Sequence, residues 1–316
     1  MASVPDARRG QFQVLLGVVR LLDARQRGNP QAVAEEAQRL QAAAEAPEAA
    51  QPALGQDLRA LALTSLGSTE VWTTRSEEAH QHLEQGVALA RRIGRPFLEF
   101  SGLAHLAADE IWRSFAQAAE RSRQAIELAE RHGWTDEPPA GTAYRTLAVA
   151  LTWQGRPEEA EAWLQRAERI VTAEAEPAAR LAVHYIRGRL ELVRGRDADA
   201  LAAFGAAERL TGRLAAPHLL VARARAMQLY VLVRLGDTER AEQVLAGLVE
   251  HDRERAETHI ATAVLRLAQG ATRARRPQRS GRSSAAPLPY SRGASRGAGW
   301  LTRSCWRQLP GMPSAT

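Results

Sequence analysis

Gly155-Arg156-Pro157-Glu158-Glu159-Ala160 recurs as Gly195-Arg196-Asp197-Ala198-Asp199-Ala200 and again as Gly236-Asp237-Thr238-Glu239-Arg240-Ala241. Each copy is a glycine, four polar or small residues and an alanine, set between two apolar runs with helical spacing. The glycines are 40 and 41 residues apart, and a fixed period in this range marks an array of helical repeats. Local chemistry makes each copy a turn between two helices. Glycine ends the first helix by taking the left-handed conformation that satisfies its last carbonyls. Asp197 and Asp237 are placed to cap the second helix, and Pro157 fits its first turn. Glu158 and Glu159 sit where the positive helix end favours them. The alanine five residues after glycine lets the two helices approach closely.

Outward from these turns, the apolar periodicity predicts helices in both directions. Residues 11–27 form a first helix with Val14, Leu15, Val18, Leu21 and Leu22 on one face. Gly28-Asn29-Pro30 is a turn, and a partner helix runs to about Ala44. After a connector at 45–52, helices are expected at about 53–73 and 76–92, 96–112 and 114–132, 140–154 and 157–174, 178–194 and 198–213, and 217–235 and 238–252. A last first helix covers about 255–269 and ends at Gly270. No alternating strand pattern of useful length is present, so the expected class is all-α.

The units resemble the tetratricopeptide repeat. In that family a large residue, a leucine three on and a small residue precede the turn glycine. An alanine follows the glycine by five, a large residue by nine and a second alanine by twelve. The fourth unit carries the pattern as Tyr144, Leu147, Ala148, Leu151, Gly155, Ala160, Leu164 and Ala167. The fifth carries it as Gly188, Gly195, Ala200, Phe204 and Ala207, and departs at Arg187 and Glu191, where the family prefers apolar residues. The second keeps Leu63, Leu66, Gly67, Ala79 and Leu83 but has Thr74 at the turn. The resemblance covers roughly residues 10–270 and implies a right-handed solenoid of antiparallel helix pairs.

The chain's 316 residues carry a net charge of +6, with 42 Arg, no Lys and 36 acidic residues. Nine of the arginines and none of the acids lie in 271–316, so residues 1–270 hold 33 Arg against 36 acids, a net −3. The basic character therefore belongs to the C-terminal segment, and the repeat region is not read as a nucleic-acid surface. Segment 271–316 is rich in Arg, Ser, Gly and Pro and has no helical period; such a composition favours disorder. Domains are accordingly expected at 1–270, the repeat region, and 271–316, a disordered tail. Pro277 falls where the second helix of the last pair belongs, and the final repeat is left half made. A tail foreign to the fold, from a reading-frame slip, is one explanation; a genuine disordered tail is the other. The sole cysteine, Cys305, lies there too. No run reaches the roughly 18 apolar residues of a membrane span, and the start lacks a secretory apolar core. A cytoplasmic location is expected.

The Ala- and Arg-rich phrases at 82–94 (His82 to Gly94) and 124–133 (Gln124 to Gly133) resemble the repeat region of large ATP-binding LuxR-type, MalT-like transcriptional regulators. The resemblance implies a segment that senses an inducer or partner, beside an ATPase module and a helix-turn-helix reader. Neither appears here: the phosphate loop needs a lysine, and the chain has none. The expectation is a sensor or protein-interaction segment of such a regulator without its own DNA reader. The alternative is a free-standing tetratricopeptide adaptor.

No catalytic set is found: there is no His-Glu-x-x-His, no Gly-x-Ser-x-Gly, and no Cys–His pairing in the repeat region. The chain is not expected to be an enzyme or to hold a metal or cofactor. His80 with Glu84, and Asp109 with Arg113, look like solvated helix-face pairs. Candidate recognition residues follow from the family's concave-face positions. They are Ser68 and Trp72 in the second unit and Arg145, Thr152 and Trp153 in the fourth. The fifth adds Tyr185 and Arg189, and the sixth Arg223, Tyr230 and Arg234. Arginines beside aromatic rings suit a carboxylate, a phosphate or an acidic peptide. The bland alternative is that the rings pack between repeats and the arginines form a solvated face. Trp112, Trp134 and Trp163 are assigned to packing. The expected partner is a protein, a peptide or a small inducer in the groove, with self-association through the uncapped last repeat. No membrane and no specific nucleic-acid contact is expected.

Overall fold

A computed structural model describes residues 15–24, 27, 29–45, 52–71, 76–171, 177–214 and 218–275. Among them every long element is an α-helix. The helices are α1 (residues 15–24), α2 (Pro30–Glu45), α3 (Pro52–Glu70), α4 (Ser76–Arg92), α5 (Pro96–Glu110), α6 (Phe115–His132), α7 (Pro138–Trp153), α8 (Pro157–Ile170), α9 (Pro177–Val193), α10 (Asp197–Arg209), α11 (Leu219–Arg234), α12 (Thr238–Ala246), the single turn α13 (Glu250–Arg253) and α14 (Ala256–Arg275). Each first helix packs on its own partner and on the second helix of the unit before it. The first helices α3, α5, α7, α9, α11 and α14 also touch one another in succession. The molecule is a tetratricopeptide-like solenoid of antiparallel pairs, with α14 standing as the first helix of the last one. The tail expected at 271–316 lies almost wholly outside the described residues.

The turns work as their chemistry dictates. Gly155, Gly195 and Gly236 have φ of 78°, 75° and 81°. The amide after each glycine donates to a carbonyl five residues back: Arg156 to Leu151, Arg196 to Glu191 and Asp237 to Leu232, all at 2.9 Å. This is the Schellman closure, which satisfies carbonyls that a helix end leaves open. Asp237 caps α12 by accepting from the Arg240 amide at 3.2 Å. Asp197 does not cap α10. It is the first helical residue after Arg196, and its carboxylate instead pairs with Arg234 of α11 at 3.0 Å.

The repeat alanines Ala160, Ala200 and Ala241 are all fully buried. Phe204 presses on Gly188, where a β-carbon would lie 2.6 Å from the ring. The largest core cluster runs from α4 to α9 through Phe100, Tyr144, Leu147, Leu151, Leu164 and Leu190. Burying each such side chain is worth about 1.5–3 kcal/mol. Trp134 stacks at 6.0 Å on Phe100 and Trp163 at 5.5 Å on Tyr144, so both pack as expected.

Three further expectations need correction. The helix predicted to 252 stops at Ala246, because the chain turns at Gly247-Leu248 and buries Leu248 before α13 begins. The last first helix runs through Gly270 to Arg275; an interior glycine costs only about 1 kcal/mol, and nothing crowds Gly270. The His80–Glu84 and Asp109–Arg113 pairs belong to a half-buried network rather than a solvated face. Asp109 is 1 % exposed and joins His80 at 2.9 Å and Arg113, which also reaches Glu77. The neighbouring Glu110 carboxyl is pushed up by burial.

The two departures in the fifth unit are partners. Arg187 bonds Glu161 and Glu168 of α8 at 2.7 and 2.9 Å and Glu191 of α9 at 3.2 Å. Arg194 closes on Glu161, and Arg196 on Glu191. A buried charge must be paired to be tolerated, and this junction carries a connected cluster of such pairs between α8 and α9.

Candidate functional site

The first helices line a partly open space of about 100 Å³. It is built by α5, α7, α9, α11 and α14, together with Phe115 at the start of α6. Repetition positions its walls: equivalent turns of successive first helices point into the same groove. Six candidates from the sequence meet there: Arg145, Thr152, Trp153, Tyr185, Arg189 and Arg223.

Two arginines lie on two tryptophans. The Arg189 guanidinium is 4.7 Å from the Trp153 ring centroid and donates to the Tyr185 hydroxyl at 3.2 Å. Trp153 is itself stacked on Phe115 at 5.6 Å with the planes 10° apart. The Arg223 guanidinium is 4.1 Å from the Trp112 centroid, and its Nε lies 2.9 Å from Glu257 Oε1 of α14. Burial pulls the Arg223 pKa down, but a guanidinium stays charged at any physiological pH. Arg145 is buried on the wall between them. His218, next to α11, accepts from the Leu220 amide at 3.2 Å. Burial, then the charge of Arg145, push its pKa down to about 4, so the imidazole is neutral at pH 7. The site is aromatic-walled and electropositive.

Four candidates do not meet there. Ser68 is buried and donates to the Ser65 carbonyl at 2.9 Å. Tyr230 and Arg234 sit farther along α11, where Arg234 is tied to Asp197 and Tyr230 packs in the adjoining core. Trp72 lies outside the described residues. In the other direction, the sequence missed Trp112, assigned to packing, as well as Phe115 and Glu257. A signal for Trp112 existed: Trp72, Trp112 and Trp153 are 40 and 41 residues apart, the spacing of the turn glycines. No such signal marks Glu257, whose position depends on how the last unit docks.

Among the described residues no group of three or more potential metal ligands is present, and no helix is long and apolar enough to cross a membrane. What the walls can do is hold a planar anion. Arginine forks bind a carboxylate through paired hydrogen bonds, and each arginine–ring contact adds about 0.5–2 kcal/mol.

No protein-family model matches the chain, and no curated protein matches it. Among solved structures it is similar to BtubC (BKLC) from P. vanneervenii, with 16 % identity, a TM-score of 0.48, and 84 % of this chain and 98 % of that one covered. A putative kinesin light chain from Podospora anserina with nearly identical TPR-like repeats gives 18 % identity, a TM-score of 0.42 and 73 % and 100 % coverage. The assembly chaperone of RpL4 (Acl4), residues 1–338, gives 17 %, 0.44, and 82 % and 97 %.

Proposed function

We propose that the chain is a recognition module that holds a protein or peptide partner, or a small inducer, in its concave groove through an anionic group bound at Arg189 and Arg223. What carries this is the convergence of five first helices on one cavity where two guanidinium planes lie on two tryptophan rings. Fold and function are separable, so the proposal stands on that geometry. Panning a random peptide display library against the full chain tests it. Acidic or free-carboxylate anchors are expected to enrich, and enrichment is expected to vanish with Arg189→Ala or Trp153→Ala. Enrichment indifferent to both substitutions overturns it.

Within this reading the chain serves as the sensing segment of a LuxR-type, MalT-like regulator, on the strength of the phrases at 82–94 and 124–133. Resequencing the gene and translating the other frames beyond the Gly270 codon tests that placement. A frame that continues the repeat into a helix-turn-helix supports it; no such frame in the gene and no ATPase gene beside it sinks it. The continuation of α14 to Arg275 favours the second reading, a free-standing adaptor, because helical character persists into the segment that the frame-slip account treats as foreign.

A further inference from the structure

The Arg223 guanidinium already has a carboxylate on it. Glu257, in the first turn of α14, closes one end of the cavity, with side chains 15 % and 22 % exposed for Arg223 and Glu257. Among the described residues lining the space, Glu257 is the one acid, set against Arg145, Arg189 and Arg223. Arg255 adds a fourth cation: its charge bears on Arg223, and its Nε is buried with no hydrogen-bond partner among the described residues. Three guanidinium groups and one carboxylate line the space, and an anion seated against Arg223 is held more strongly there than in water. The space itself is about 100 Å³ between Trp112, Phe115, Trp153 and Tyr185. An enclosed cavity of ~150 Å³ is known to hold a benzene molecule; this space is smaller but partly open, so it takes a ring at its mouth between the aromatic walls.

We infer that Glu257 is a built-in stand-in for a ligand's carboxylate: the pocket takes an aryl carboxylate, which displaces Glu257 from Arg223 and unfastens the first turn of α14. This rests on the cavity being the recognition site described above. One chemistry has two sources, a small aromatic acid or a C-terminal aromatic residue of a peptide. Because ligand and Glu257 compete for one guanidinium, they are linked. Removing the Glu257 charge strengthens ligand binding, and ligand binding loosens α14 by the same coupling. The helix is suited to respond, since among the described elements it docks mainly on α11, α12 and the short α13.

The test is calorimetric titration of the full chain with 3-phenylpropionate, with its amide, and with a Phe-terminated tetrapeptide carrying a free or an amidated C-terminus. At least one free acid is expected to bind and neither amide. E257Q is expected to tighten acid binding about tenfold, and R223Q to abolish it while the circular-dichroism melt shows a folded chain. If R223Q does not fold, E257Q together with hydrogen exchange at residues 256–262 decides. Exchange there is expected to quicken when the acid binds wild type. A small acid binding, a peptide binding, or both supports the inference and assigns the source. Equal affinity of wild type and E257Q for a bound acid, with unchanged exchange in α14, overturns the stand-in role and leaves the recognition site standing. No acid bound by either protein overturns both.

Discussion

At residue scale the close contacts are unforgiving and few. At Gly188 a β-carbon would lie 2.6–2.7 Å from three Phe204 ring atoms, and the ring is fully buried. Gly188→Ala is therefore expected to lower the urea-unfolding free energy by about 1–3 kcal/mol. At Gly205 the nearest atom is an Arg209 guanidinium nitrogen at 3.6 Å, so Gly205→Ala is expected to gain about 0.5–1 kcal/mol from helix entropy. A gain at both positions would contradict the packing described. His218 is held neutral down to about pH 4 in the folded chain, against 6.5 when unexposed to these neighbours. The unfolded chain thus binds more protons between those values, and stability falls as pH drops through that window. His218→Asn keeps a capping acceptor and does not titrate. The variant is expected to close on or pass wild type by about 2 kcal/mol between pH 6.5 and pH 4, measured by urea unfolding at several pH values. Trp153 is singled out by carrying the family's groove positions onto the fourth unit, and it lines the space described. Trp112 stands one period earlier, but no family pattern is matched in the third unit, so no groove position is carried onto it.

At element scale the α8–α9 junction carries the largest connected set of ion pairs described above. Arg187 is tied to three glutamates. Burial pushes the Glu161 carboxyl up, but hydrogen bonds and charge from Arg187 outweigh it and hold the pKa at about 2. A depressed carboxylate contributes stability above its unfolded pKa of 4.5 that is lost as pH falls toward about 2. Arg187→Met strands the acids and is expected to cost about 3–5 kcal/mol at pH 7. That deficit should shrink as pH falls through the carboxylate range, since protonation then relieves the stranded charges. A circular-dichroism acid titration of wild type and variant checks both. The helix positions themselves were legible from apolar spacing, turn glycines and capping residues. The breaks that were missed, at Gly247 and beyond Gly270, depend on tertiary docking of α13 and α14, which local pattern does not encode.

At the scale of the whole molecule, stability should follow the core. A linear array is approximately a sum of unit and junction terms. The largest cluster is centred on α5 to α9, whereas α14 exposes Leu267 and α1 exposes Leu15 and Val19. Native-state hydrogen exchange is expected to give the highest opening free energies in α7 and lower ones in α1 and α14. Uniform protection across the array would show a single cooperative block instead. The solenoid class was readable because a period repeats a signal; the site was half readable because it draws one or a few residues from each of several units.

The ionic junction also bears on assembly. Repeat units share so much pattern that, during folding, a helix pair from one chain is a passable neighbour for a pair from another. Apolar faces accept such substitutes readily. Arg187, Glu161 and Glu168 do not, because each needs its complement at one place on one other helix. The α8–α9 junction is thus expected to act as an address label, favouring its own neighbour over a helix pair from another chain.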